Sequence, residues 1–164
     1  MNQGVSVGER APNFSLLASG SGRRVSLRKN AGRPVVLIFH LQGTAPTARE
    51  INRAVRESYP NPEEVLVASV IDLSIVPPVY WVTVSLVLGQ AYEQATSELP
   101  AEADPADYVV ILPDWGGQVS RAYGVRKTYR AAAIVVVDKG STVAGVYQGE
   151  RPVETVLELL ERAC

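Results

Sequence analysis

Pro34-Val35-Val36-Leu37-Ile38-Phe39-His40-Leu41-Gln42-Gly43-Thr44-Ala45-Pro46-Thr47-Ala48-Arg49-Glu50 decides the fold. Its opening run, Pro34 to Phe39, is apolar without a break, the pattern of a strand covered on both faces. Beyond it Ala48, Ile51, Ala54 and Val55 recur at helical spacing, which predicts a helix over 45–58. Two starts are readable for that helix. Thr44 can cap it with Pro46 in the first turn, or Thr47 can cap it with Glu50 three residues on. The loop from His40 to Thr47 therefore carries the chain from a strand to a helix N-terminus. Free backbone N–H groups and the positive end of a helix point into such a loop.

Working outward, 65–71 is a second apolar run ending at Asp72. Strand, helix and strand in that order predict a right-handed parallel crossover. Further strands are expected at 108–112 and 133–137. Asp138-Lys139-Gly140-Ser141 then turns the chain into 143–147, an antiparallel hairpin. Gly124 is placed to end a short helix, 119–123, in the left-handed conformation. Pro152 opens a last helix, 152–163, with Val153, Val156, Leu157 and Leu160 as its core face. Upstream, Phe14 and Leu16 alternate as in a short strand, 18–24 is a Gly- and Ser-rich turn, and 25–27 is a second short strand. The whole reads as one α/β domain, 1–164, with a central mixed sheet flanked by helices 45–58, 79–96 and 152–163.

The helix at 79–96 is unusual. Tyr80, Val84, Val87, Ala91 and Ala95 make one stripe, and Trp81, Leu88 and Tyr92 make another. An apolar surface wider than about 100° cannot face a single core. Such a helix is fully buried or lies at an interface, and a homodimer through 79–92 is expected. The acidic loop 98–107, folded over the helix, is the other way to cover it.

Composition narrows the function classes. The chain has 164 residues, 46% of them apolar and 20% charged, with a net charge of −1. That balance offers no bulk attraction for nucleic acid or an anionic membrane. Arginine outnumbers lysine, 13 to three, without forming a basic run. Arg49, Arg53 and Arg56 share one helix face, as a solvated stripe or as an anion-binding one. Met1-Asn-Gln-Gly-Val-Ser6 lacks the basic and then apolar start of a signal peptide, and no apolar run has the length of a membrane span. The only cysteine is Cys164. One thiol makes no intrachain disulfide, and a cytoplasmic location follows. No metal-ligand spacing and no cofactor motif is present.

In order and spacing the chain resembles the redoxins, the peroxiredoxin and thiol–disulfide oxidoreductase branch of the thioredoxin fold. Gly8-Glu-Arg-Ala-Pro12-Asn-Phe14 resembles the redoxin opening, which leads through a hairpin to Val-Val-Leu-x-Phe, here 35–39. Asp114 with Val119-Ser-Arg-Ala-Tyr123-Gly124-Val125 resembles the run Asp…Val-Ala-x-Ala-Tyr-Gly-Val. Val135-Val-Val-Asp138-Lys-Gly140 resembles Phe-x-Ile-Asp-x-x-Gly with one turn residue fewer. The resemblance implies a thioredoxin-like fold and antioxidant thiol chemistry at a Cys-x-x-Cys or Pro-x-x-x-Thr-x-x-Cys loop. In the first motif Thr44 and Thr47 stand in the two cysteine positions; in the second Thr44 matches the family threonine, Thr47 replaces the reactive cysteine and His40 replaces the proline. Ala132 stands where the thioredoxin-like enzymes carry a cis-proline, and Arg130 lies two residues before the place of the peroxiredoxin arginine.

Peroxide reduction needs a thiolate, and a hydroxyl cannot stand in for it. The expectation is a redoxin without its reactive cysteines, acting as a binding or regulatory protein. Its pocket would comprise His40, Thr44, Thr47 and Arg130, with room for a small polar or anionic ligand at the helix start. Two alternatives stand beside it. One is residual thiol chemistry through Cys164 or a partner's thiol. The other is a non-redox reaction at His40, Thr44 and Thr47, with His40 as general base.

Overall fold

The computed structural model describes residues 4–164, so Met1, Asn2 and Gln3 of the amino-terminal reading lie outside it. The elements run β1 (Ser15–Leu17), β2 (Arg24–Ser26), β3 (Val35–Phe39), α1 (Ala45–Ser58), β4 (Leu66–Asp72), α2 (Trp81–Thr96), α3 (Pro105–Tyr108), β5 (Ile111–Asp114), α4 (Gln118–Tyr123), β6 (Ala133–Val137), β7 (Val143–Tyr147) and α5 (Pro152–Ala163). Short 3-10 turns at Arg28–Asn30, Gln42–Thr44 and Pro78–Tyr80 join some of them.

Five strands form the central sheet in the order β5-β4-β3-β6-β7. β3 is parallel to β4, Val35 opposite Leu66, and antiparallel to β6, Val35 opposite Val137. β6 and β7 make the expected hairpin. All five residues of β3 are buried, and so are all five of β6, because both faces of the sheet are covered. On one face Val36, Ile38, Ile134 and Val136 pack with Ile51 and Val55 of α1 and with Val156 and Leu160 of α5. On the other Leu37, Phe39, Val70 and Val135 pack with Phe14, Val25 and Tyr123. β1 and β2 form a separate antiparallel hairpin over that second face.

Several boundaries differ from the sequence reading, each for a local reason. The strand expected at 108–112 begins only at Ile111. Asp104 accepts a hydrogen bond from the Ala106 N–H at 3.2 Å with Pro105 in the first helical position, so a short helix, α3, takes the chain as far as Tyr108. On α5 the buried face is Val156, Leu159, Leu160 and Ala163, while Leu157 and Val153 are half-buried. Leu159 lies flat on Gly145 of β7, where any Cβ would collide with it. On α1, Ala54 is half-buried, and Ala48, Ile51 and Val55 form the core face. The strands expected at 65–71 and 25–27 are shifted by one residue, to 66–72 and 24–26. Gly124 ends α4 with φ at 69°, as expected.

Of the two placements open to the helix at 79–96, full burial is not the one found, and the helix begins at Trp81 after a 3-10 turn. None of the 16 residues of α2 is buried. Val84, Leu88, Tyr92 and Thr96 form a half-buried stripe at i, i+4 spacing, while Val79, Val82, Leu86 and Val87 are 78, 73, 64 and 55% exposed. The segment 98–107 does not cover them. Its Asp104 and Asp107 are drawn instead to Arg23, at 3.2 and 2.7 Å. Contacts that hold α2 near the body include the Trp81 indole N–H on the Val76 carbonyl (3.1 Å), Trp81 against Trp115 (5.2 Å between rings), and Tyr92 against Gly20.

Candidate functional site

The loop at the carboxyl end of β3 is built from its own backbone. The His40 N–H donates to the Val70 carbonyl at 3.2 Å, which extends the β3–β4 ladder by one bond. Gln42–Thr44 then winds one 3-10 turn into α1. Pro46 sits in the first turn of α1, where its missing N–H is no loss.

His40 is buried, with its Nδ1 3.0 Å from the Leu41 carbonyl oxygen. That contact makes Nδ1 the N–H donor and leaves Nε2 with the lone pair. Burial, with the Arg49 charge as a lesser contributor, holds the imidazole below its ordinary pKa, and the Leu41 hydrogen bond opposes this only in part. At neutral pH the ring is uncharged.

Thr44 is also buried, and it does not cap α1 with its side chain. Its hydroxyl donates to the Thr128 carbonyl at 2.7 Å and accepts from the Leu41 N–H at 3.0 Å. Of the two readings the first holds in position, with Thr44 at the N-cap and Pro46 in the first turn but without the side-chain bond, and the second is corrected, since the helix starts at Ala45 and Thr47 lies inside its first turn. The competing interaction won because a hydroxyl between two half-buried backbone groups with no other partner avoids the penalty of leaving either unpaired.

The Thr128 carbonyl is presented by a loop that sequence reading passed over. Lys127 adopts φ of 54° and receives the Arg130 N–H at 2.9 Å. The Gln148 side-chain amide donates to both the Arg126 and the Ala131 carbonyls, at 2.8 and 2.9 Å, and clamps the loop at its two ends. No spacing rule points to Gln148, because it acts on a segment 22 residues away.

The structure thus brings His40 and Thr44 together at the Leu41 peptide and sets Thr47 one turn into α1. Arg130 does not join them. It is exposed, with its guanidinium over the Tyr129 ring at 5.8 Å. Ala132 is buried at the entry to β6. The arginine stripe of α1 is divided as well. Arg49 and Arg53 are exposed, whereas the half-buried Arg56 donates to the Val65 carbonyl at 2.9 Å and stacks over Tyr108, and burial lowers its pKa.

Cys164 is remote from all of these. It lies beside Tyr59, whose phenol is raised by burial and then by this neighbour. Tyr59 follows the last turn of α1, so about 18 Å of helix separates that end from Thr47 at the helical rise per residue. Among the described residues no group of His, Cys, Asp and Glu is arranged to hold a metal ion, and no helix is long and apolar enough to cross a membrane.

Comparison with known proteins agrees with this architecture. The family model described as Redoxin matches residues 6–160. A relative in rice, Oryza sativa subsp. indica, "Putative peroxiredoxin Q, chloroplastic", is 29% identical over 96% of this chain and 67% of its own length. Among solved structures, a putative thiol:disulfide interchange protein DsbE from Chlorobium tepidum superimposes with a TM-score of 0.67 at 20% identity, covering 97% of this chain and 98% of that one. The pneumococcal exposed lipoprotein thioredoxin of Streptococcus pneumoniae reaches 0.62 at 15% identity, over 92% and 99%. These structures share the thioredoxin fold, and with the family model matching nearly its whole length the chain belongs to the Redoxin family.

Proposed function

We propose that this redoxin acts by binding and not by thiol turnover, and that it does so as a homodimer joined through α2. The observation that carries the first part is Thr44. It stands at the first cysteine of the Cys-x-x-Cys motif and at the threonine of the peroxiredoxin one, and its hydroxyl is committed to two backbone groups, the Leu41 N–H and the Thr128 carbonyl. Thr47 stands at a cysteine position in both motifs, and a hydroxyl forms neither thiolate nor sulfenic acid. Cys164 is supported in neither role, since it lies at the far end of α1 from this loop. A small ligand at the helix start would meet the Thr47 hydroxyl and the Nε2 lone pair of His40, because the Thr44 proton is already spent.

The second part rests on α2. From Leu73 to Tyr92 no side chain is charged, and Val79, Val82 and Leu86 are largely exposed. A shallow hollow of about 420 Å³ lies between Trp81, Val82, Leu86 and Trp115. A second copy would bring an equally neutral face and no like-charge repulsion, whereas the absence of Lys and Arg there gives no purchase on anionic lipid.

The test is peroxide consumption with a dithiol or thioredoxin reductant. Turnover at the level of buffer is expected. Turnover well above buffer that vanishes in Cys164→Ser would overturn the non-catalytic reading.

A further inference from the structure

At the end of the sheet opposite the His40–Thr47 loop, a cavity of about 180 Å³ opens between the β1–β2 hairpin, the turn after β2 and α3. Arg23, Arg24, Lys29 and Arg33 line it, with Asp107 as the one carboxylate in its wall. That carboxylate is already used. Asp107 and Asp104 both pair with Arg23. Arg24 bonds only the Ser15 hydroxyl, at 3.1 Å, and among the described residues neither it, Lys29 nor Arg33 has an ion pair.

Arg33 is the informative member. It is half-buried at the entry to β3, and three of its N–H groups are fixed in place. Nε and one terminal nitrogen donate to the Asn30 side-chain oxygen, and the other terminal nitrogen donates to the Pro62 carbonyl. Burial pulls its pKa down, and the charges of Asp107 and Glu63 restore only part of this. A guanidinium held rigid, partly desolvated and without a carboxylate of its own is costly unless an anion approaches it. Two further cations reach the same cavity from separate segments, Arg24 from β2 and Lys29 from the following turn. On a chain of net charge −1 this is a local concentration of positive charge and not a general one.

We propose that this cavity is a binding site for a compact multivalent oxyanion: inorganic phosphate, or the phosphate group of a small ester. Arg33 supplies the preorganised fork, and Arg24 and Lys29 close on the anion from the hairpin side. The volume sets the class. It falls below the roughly 300 Å³ at which pockets begin to enclose whole drug-sized ligands, so a nucleotide or peptide does not fit inside. The site lies at the other end of the sheet from the loop at His40 and shares no lining residue with the hollow on α2.

The test is an amide-shift titration of the full chain by NMR, with sodium phosphate exchanged for sodium chloride at constant ionic strength. Saturable shifts at Lys29, Asn30 and Arg33 are expected, with a Kd on the order of 1 mM or tighter. Arg33 anchors its loop, so Arg33→Gln can fail by unfolding. The pair Arg24→Gln and Lys29→Gln, both exposed, carries the test and is expected to weaken binding about tenfold with the remaining spectrum unchanged. A parallel titration with glycerol phosphate separates the two sources: tighter binding than phosphate identifies an ester, equal binding the free anion. Shifts that fail to saturate, that chloride reproduces, or that the double variant leaves unaltered would overturn the site.

Discussion

At the scale of single residues, the loop after β3 is governed by which backbone groups its side chains satisfy. Thr44→Val keeps the shape of the side chain and strands the Leu41 N–H and the Thr128 carbonyl. A loss of about 2 kcal/mol in denaturant unfolding is expected, with Thr44→Ser recovering most of it. Thr47 makes no such bond, so Thr47→Val should stay within about 0.5 kcal/mol. His40 makes a separate prediction. Its folded pKa is depressed, so the unfolded chain takes up the imidazole proton first as pH falls. Stability from this group is complete above the unfolded value of about 6.5 and declines as pH drops from there toward the folded pKa. His40 is the only histidine. Urea midpoints measured between about pH 7.5 and about pH 5.5 should therefore fall, and His40→Gln should remove most of that slope.

At the scale of elements, α2 and α4 contrast. α4 has only six residues but is tied down: the buried Asp114 side chain accepts from the Ser120 N–H at 2.9 Å, and Val119 and Tyr123 are buried. α2 has 16 residues and buries none. Charge–apolar exchange on it therefore reports association and not folding. Light scattering is expected to show a dimer at tens of micromolar, and Leu86→Glu, at an exposed position, to give a folded monomer. A wild-type monomer under those conditions would remove α2 as an interface. The apolar count of the segment was readable from sequence. Which side faces outward was not, because two stripes of similar width compete, and only the seating of Tyr92 on Gly20 and of Trp81 on Trp115 chooses Val84, Leu88 and Tyr92 as the inner face.

At the scale of the molecule, stability is unevenly distributed. β3, β4 and β6 lie at the centre of a sheet covered on both faces, and their amides should exchange only with global unfolding. The amides of α2 have little buried apolar area behind them and should exchange through local opening at far lower free energy. Hydrogen exchange at two protein concentrations checks both statements. Protection of α2 that rises with concentration, while that of β3 stays constant, is the expected pattern for dimerisation through this helix.

The sequence by itself determined most of the strands and two of their pairings, 35–39 parallel to 65–71 and 133–137 antiparallel to 143–147, while the pairing of β3 with β6 that joins them came only from the tertiary structure. An unbroken apolar run at 35–39, helical spacing at 45–58, a second run at 65–71 and a tight turn at Asp138–Ser141 are local signals, and local signals set local backbone. It also determined what chemistry the His40–Thr47 loop lacks, since a missing thiol is a property of composition. Only the tertiary structure decided what the residues there do. Thr44 meets Thr128 across 84 positions of chain, and Arg130 turns away onto Tyr129. Gln148 holds the loop between them. The cationic cavity likewise draws Arg24, Lys29 and Arg33 from consecutive short segments whose chain reversals place them round one space. Contacts of this kind depend on where hydrogen-bond donors and charges finish after the sheet has formed, and no periodicity records that.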